Sequence, residues 1–366
     1  MSEPVKGRGA IPPLISPDAN LTVASPSEGA SINRNVLIPP PSDAIDALKD
    51  VLPVPVSKAR GAGKTIKAFF RKLSGPFLVF VRFPIARRGV VSVSARIVRL
   101  YIARILNRSF IFTLLPPVRM HARFDFGSPI LAYYLGLYEE SSMTFLLRYL
   151  RRDECFADVG ANVGVYTLLA AGVAGARVHA FEPFSVAYDA LTGNVSLNAL
   201  GERAALHRQG VGSDASTAFI TTTNKGANRI AGAVAGEAME RIDVVTLDDA
   251  LDADVPAVIK IDVEGYEEQV LLGARRILSS KKVNIVILEA IERNPGSGHV
   301  DRCVSILTEF GFRQCTYDPE ANRLTECEDG VREFVGPNDE NYLFVKDIEK
   351  ARRRIRKEGR RCGLHR

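Results

Sequence analysis

The chain has 366 residues, 46% of them hydrophobic, which is enough to bury a full core in one large domain with extensions. Its net charge of +6 is segregated: Val51–Arg123 holds 15 Lys or Arg and no acid, residues 351–366 hold 8 basic residues against Glu358, and residues 125–350 hold 21 basic and 35 acidic. No apolar run reaches the ~18 residues of a spanning helix, no secretory signal pattern opens the chain, and the five cysteines show no zinc spacing, so free thiols in a reducing cytosol and no metal site are expected.

Residues 1–50, rich in Pro and Ser with "IPPPSD" inside, cannot bury enough apolar surface to offset ordering and are expected to be disordered. Residues 51–123 alternate apolar clusters with arginines and form a basic amphipathic extension. Within it, Ser94–Leu106 places Ile97, Leu100, Tyr101 and Ile105 near one helical face, with Arg96, Arg99 and Arg104 around it. Such a helix suits an anionic membrane surface, or it docks on the acidic body of the same chain. The main domain is expected over 124–350, with a basic tail over 351–366. A capped helix, "SSMTFLLRYL", leads into the first strand, "ECFADVG". Helix 163–174, strand "ARVHAFE", helix 185–199 and strand "AALHRQGV" follow. After a polar insertion containing "TTTNKGANR" come strand "PAVIKIDV", helix 266–280, strand "VNIVILEA" and helix 300–310. Apolar runs alternating with helical patterns predict a doubly wound parallel α/β sheet. The runs "RQCTYD" and "NYLFVK" are too close for another helical crossover and predict an antiparallel closing pair.

Ligands of such a sheet bind beyond the carboxyl ends of its strands, where the strand order reverses. The turn "DVGANVG" lies there, and Glu182 ends the second strand 22 residues after Gly160, the offset of an acid that holds a ribose. The site therefore reads as adenosine. Asn162 stands where a pyrophosphate turn would carry glycine, and Asp158 adds negative charge, which favours a cationic ligand. No G-x-x-x-x-G-K-[ST] loop is present, and Tyr342 to Lys346, the one Y-x-x-x-K, falls in a predicted strand. S-adenosylmethionine, with its sulfonium and ammonium, fits these features.

The segments "YLGLYEES", "DVGANVGVYTLLAA", "VHAFEP", "NVSLN", "TLDDAL", "IKIDVEGYEEQVLLGA" and "VILEA", in this order over roughly residues 125–347, resemble the FkbM-type S-adenosylmethionine-dependent methyltransferases. The resemblance implies a Rossmann-like class I methyltransferase sheet with an antiparallel final strand. It also implies O-methylation of a hydroxyl on a sugar, glycan or other small metabolite. By the same resemblance Asp158, Gly160, Asn162 and Gly164 line the methionine half of the cofactor. Tyr166 shapes that pocket, Glu182 and Pro183 hold the ribose, and Asp214 contacts adenine. Asp262 and Glu264 face the transferred methyl. Asn198 lies in the matching "NVSLN", with a helix-end cap as its alternative role.

Methyl transfer to an alcohol needs alignment of donor and acceptor and a carboxylate to take the proton. Asp262 is the better placed for the donor's amino group, and Glu264 for base or acceptor anchor. Lys260 shares their strand parity, so a structural ion pair is the competing reading. Glu289 ends the fifth strand as a rim residue, and Asn224, Asn228 and Arg229 are loop candidates for acceptor contacts. The basic flanks raise a nucleic-acid methyltransferase as an alternative, but no [DN]-P-P-[YF] motif, Pro-Cys dipeptide or aromatic stacking platform supports it. A non-catalytic membrane-surface protein with a degenerate cofactor fold and a nicotinamide-dependent sugar enzyme are the remaining alternatives. A cytoplasmic location is expected, with peripheral contact at the inner membrane surface through 51–123.

Overall fold

A computed structural model describes residues 96–358 except 97, 101, 104, 107, 123–125, 223–229, 232–237, 291, 293–296, 329–332 and 337–338. The expected disordered segment, residues 51–95, the loop candidates Asn224, Asn228 and Arg229, and the end of the tail lie outside these residues.

The chain first forms a hairpin, β1 (Phe110–Leu115) and β2 (Val118–Ala122). Helices α1 (Gly127–Leu135) and α2 (Glu140–Tyr149) follow. The next elements are β3 (Cys155–Val159), the single helical turn α3 (Val165–Leu168) continuing as a wider π turn over Leu169–Val173, and β4 (Arg177–Phe181). Then come α4 (Ser185–Leu197) and β5 (Ala204–His207). An insertion supplies β6 (Gly210–Val211), β7 (Ser216–Thr221), β8 (Ile230–Ala231), β9 (Met239–Val245) and the short α5 (Leu247–Ala250). The second half contains β10 (Val258–Ile261), α6 (Glu267–Leu272), α7 (Arg275–Ser279), β11 (Ile285–Glu289) and α8 (His299–Glu309). It closes with β12 (Arg313–Asp318), β13 (Arg323–Glu326), β14 (Asn341–Val345) and α9 (Ile348–Glu358).

Eight strands make the main sheet in the order β13-β12-β14-β11-β10-β3-β4-β5. Strands β3, β4, β5, β10 and β11 run parallel, whereas β14 is antiparallel to both β11 and β12. The chain winds outward from β3 to β5, then returns to lay β10 on the other side of β3. This is the doubly wound sheet with an antiparallel final strand that the pattern predicts, and its switch point lies between β3 and β10. Every residue of β3 and β10 is buried, as helices on both faces require. Phe156, Val178 and Ala180 pack with α2 and the hairpin on one face, and Ala157, Val159 and Phe181 pack with Leu271, Ile277 and Leu307 on the other.

Several boundaries differ from the sequence reading. The run "AALHRQGV" splits at Arg208–Gln209, because its end leaves the main sheet for a separate four-stranded sheet of order β6-β9-β7-β8. The helix expected over 266–280 breaks into α6 and α7 at Gly273. A Cβ there would stand 1.9 Å from the Gly212 carbonyl oxygen, so glycine permits the close approach that seats the second sheet. The domain edge expected at 123/124 falls beyond the hairpin, whose Phe112, Leu114, Met120 and Ala122 are core residues. The edge expected at 350 falls inside α9, which buries Ala351 and Ile355 and lays Arg354 over the Tyr149 ring, 4.6 Å away, and against Glu154, 2.6 Å away.

Residues 96–106 contain helical backbone that touches the body through its arginines: Arg96 donates to the Tyr133 carbonyl, and Arg99 lies over the Phe110 ring. Leu100 is buried, but Ile105 is 72% exposed, so the two do not share one face as expected. Ile97, Tyr101 and Arg104 lie outside the described residues. Among the described residues no helix is long and apolar enough to cross a membrane.

Candidate active site

A cleft opens beyond the carboxyl ends of β3, β4 and β10. Its walls include Gly160, Asn162, Glu182, Pro183, Phe184, Gln209, Gly210, Asp262 and Glu264. Gly160 adopts φ +84°, and a Cβ would lie 1.7 Å from the Asp262 carbonyl oxygen, so only glycine lets the two loops meet. Asn162 takes φ +51° and donates its N–H to Glu182 Oε2 at 2.8 Å. Glu182 Oε1 accepts from the Phe184 N–H at 2.9 Å. Two lone pairs of the carboxylate remain after these bonds. Burial outweighs both backbone donors and raises the Glu182 pKa to about 7. The side-chain oxygen of Asn162 is buried with no hydrogen-bond partner among the described residues. An acceptor left over at a cleft wall fits a ligand that brings its own donor.

Behind this wall lies a second layer. Asp158 is buried and accepts from Thr167 Oγ1 at 2.6 Å; burial raises its pKa to about 6. Gly164, φ +92°, starts α3 where a Cβ would lie 2.5 Å from Leu191 Cδ1. Tyr166 donates its hydroxyl to Glu139 Oε2 at 2.5 Å, and Asn341 Nδ2 donates to the same oxygen at 2.8 Å. Burial lifts Glu139 to about 7, partly offset by the nearby Lys260. Lys260 is fully buried in β10, its ammonium 3.5 Å from both Asp262 Oδ2 and Glu289 Oε2 and 5.4 Å from the centre of the Tyr166 ring. Burial opposes its charge, but Asp262, Glu289, Glu139 and Asp158 more than compensate and hold it protonated. The charge of Asp262, then burial, drives Glu289 well above the usual carboxylate range.

Of the residues expected from the sequence, Gly160, Asn162, Glu182, Pro183, Asp262 and Glu264 meet at the cleft. Asp158, Gly164 and Tyr166 support it from behind. Asp214 is exposed in the turn after β6, bonded to Ser213, and is not among the lining residues, where Gln209 and Gly210 stand. The Lys260 ion pair with Asp262 that was the competing reading is present. Sequence reasoning gave no role to Glu139, Thr167 or Asn341. The signal for Glu139 is the first of two acids that follow apolar and aromatic residues in "YLGLYEES". Other matching segments have structural work: Thr246 caps α5 through the Asp249 N–H, and Asp248 of "TLDDAL" accepts the Arg276 and Ile277 N–H groups. Asn198 exchanges two hydrogen bonds with the backbone of Arg119, and Asn194 accepts from the His121 N–H, so "NVSLN" clamps the hairpin.

Residues 158–317 match the family described as "Methyltransferase FkbM domain". A curated relative, the hexuronic acid methyltransferase AglP of Haloferax volcanii, is 32% identical over 154 residues, 41% of this chain and 62% of that protein. The chain thus spans less than two thirds of the length of the curated relative it matches. Among solved structures, an SAM-dependent O-methyltransferase of Thermotoga maritima is 13% identical over 57% of this chain and 63% of its own, with a TM-score of 0.32. TYW2 of M. jannaschii in complex with AdoMet is 12% identical over 65% and 87%, with a TM-score of 0.33. At those TM-scores neither bears on the reading.

Proposed function

From the match of residues 158–317 to the methyltransferase FkbM domain, we propose that this protein is an S-adenosylmethionine-dependent methyltransferase that O-methylates a sugar or glycan. A hexuronic acid is the favoured acceptor class, after the name of the curated relative. The observation that carries the reading is the cleft at the switch point, where Gly160, Asn162, Glu182, Asp262 and Glu264 converge.

S-adenosylmethionine supplies an activated methyl carbon and two positive charges. The residues fit it. Glu182 offers its two remaining lone pairs to the ribose hydroxyls, and Pro183 and Phe184 wall the adenosine side. The unpartnered Asn162 oxygen and the outward oxygen of Asp262 accept from the ammonium. Lys260 fixes Asp262 in place rather than entering the cleft. Glu264, held at φ +57° in the turn after β10, faces the space where an acceptor hydroxyl would lie and takes its proton. Asp158, Gly164 and Tyr166 position the loop, and Asp214 is assigned to the adenine only if its exposed turn folds over the bound base.

The test is a calorimetric titration of the protein with S-adenosylmethionine, its demethylated product and NAD, followed by labelled-methyl transfer to uronic-acid oligosaccharides. Binding of the first two without NAD, with label appearing on the oligosaccharide, is expected. Binding of NAD alone would overturn the cofactor, and transfer only to RNA or DNA would overturn the acceptor class.

A second proposal concerns partners. The exposed Val98, Ile102, Ile105 and Leu106 in the basic 51–123 region favour peripheral contact with an anionic membrane on the cytoplasmic side.

A further inference from the structure

Toward the amino-terminal ends of the strands that carry the cleft, Cys155 opens β3, His179 sits in the middle of β4, and Asp254 precedes β10. Their ligand atoms, a thiol sulfur, a ring nitrogen and a carboxylate oxygen, lie within 4.8 Å of one another. The Ala257 N–H donates to the Cys155 carbonyl at 2.8 Å, which seats the Asp254 segment beside β3. The strand registers pair Cys155 with Arg177 and Ala157 with His179, so Cys155 and His179 project from one sheet face. We propose that Cys155, His179 and Asp254 form a binding site for a zinc-type divalent ion, completed by water, that pins the segment before β10 to β3 and β4.

Three observations support this. Soft sulfur, imidazole and carboxylate together are a zinc-type donor set. His179 Nε2 stands 3.4 Å from Asp254 Oδ2, long for a hydrogen bond but close to the ~3.3–3.8 Å edge of a tetrahedron built with zinc bond lengths. The other ring nitrogen of His179, Nδ1, faces His207 Nε2 at 3.1 Å. Two such nitrogens share one proton. Donation from Nδ1 leaves Nε2 bare and oriented, the outer-shell arrangement that metal-bound imidazoles use. His207 is itself held by stacking on Phe181, ring centres 4.4 Å apart. The ligands are separated by 24 and 75 positions in the chain, which is why cysteine spacing gave no hint of them.

Arg177 is the competing group. Its guanidinium binds both oxygens of Asp254, at 2.8 Å on Oδ1. An ion on Oδ2 would leave Arg177 on Oδ1 and displace the thiol proton of Cys155 to solvent. Without an ion, Arg177, Asp254 and His179 form a plain polar network, and the two readings respond differently to substitution at Arg177.

The experiment is titration of the chelator-treated full-length protein with Co²⁺, read by absorption, and with Zn²⁺ in competition. One equivalent of Co²⁺ should give a thiolate charge-transfer band and visible bands of four-coordinate intensity, both abolished by Zn²⁺. Cys155→Ser should lose the thiolate band, and both Cys155→Ser and His179→Gln should weaken binding at least tenfold. His207→Leu should weaken it about 10–100-fold, as outer-shell changes do. Arg177→Gln, at a half-exposed side chain, should tighten it by freeing Asp254. Cys303→Ser, at a buried thiol elsewhere, should change nothing. Absence of a thiolate band in the wild-type protein overturns the proposal without any variant having to fold. So does a band that survives Cys155→Ser or disappears with Cys303→Ser.

Discussion

Glu182 combines two demands that pull against each other. Its carboxylate must be buried to meet a ribose, yet burial raises its pKa to about 7 from the ordinary 4.5. Between those values the folded protein holds a proton that the unfolded chain has lost. Raising the pH across that window therefore favours unfolding. In the ligand-free protein, stability should fall from about pH 5 to pH 7, and Glu182→Gln should remove about 1–3 kcal/mol of that slope in urea melts at both pH values. Glu182→Ala should weaken S-adenosylmethionine binding by about 1.5–3 kcal/mol in calorimetry; unchanged affinity with an intact circular dichroism spectrum would refute the ribose role. Glu264 belongs to the other half of the reaction. Glu264→Gln should leave cofactor affinity nearly intact while lowering single-turnover transfer by about 10²–10⁴-fold. Collapse of cofactor binding with transfer surviving at saturation would reverse the two assignments.

At the scale of elements, α9 supports the domain from behind. Ile348, Ala351 and Ile355 face inward, and Ile355 is 1% exposed. Ile355→Ala should cost about 2–5 kcal/mol in thermal or urea unfolding. Arg354→Met, which breaks only the pair with Glu154 and the contact with Tyr149, should cost less than the core truncation. The sequence concealed this helix because eight basic residues in a terminal segment look like a solvated tail; a few inward apolar residues between arginines suffice to dock it. The parallel strands were legible for the opposite reason. Burial on both faces forces runs such as "IVIL", Ile285–Leu288 of β11, that no loop would carry. The second sheet was not legible, since β6 and β8 are two residues each and β6 finds its partner, β9, only far along the chain. The cleft residues could be read because each ends a strand or bends a turn. Glu139 could not, because what gives it significance is Lys260, Tyr166 and Asn341, brought near only by folding.

The whole molecule sets a basic amino-terminal region against an acidic body. If that body were the partner of the basic residues, Arg96 and Arg99 should meet carboxylates. Instead they meet the carbonyls of Tyr133 and Ile111 and the rings of Tyr133 and Phe110. These contacts fix the helical segment with Leu100 inward and leave Val98, Ile102, Ile105 and Leu106 between 52% and 72% exposed. Val98, Ile102 and Ile105 recur at helical spacing, so they share the outward side. An apolar stripe held outward by its own arginines suits insertion at a lipid headgroup boundary, and the remaining positive charge of residues 51–123 would add about 1 kcal/mol per residue near an anionic leaflet. Full-length protein should therefore sediment with phosphatidylserine-containing vesicles at low salt, bind neutral vesicles far less, and be released as salt screens the charge. Replacing Ile102 and Ile105 by Asp should abolish sedimentation while thermal stability and cofactor affinity stay nearly unchanged, because both residues are more than half exposed. Failure of the wild-type protein to bind anionic vesicles would leave the arginine contacts as a docked arm alone. Loss of stability in the double variant would show that the stripe packs against the protein's own chain rather than lipid.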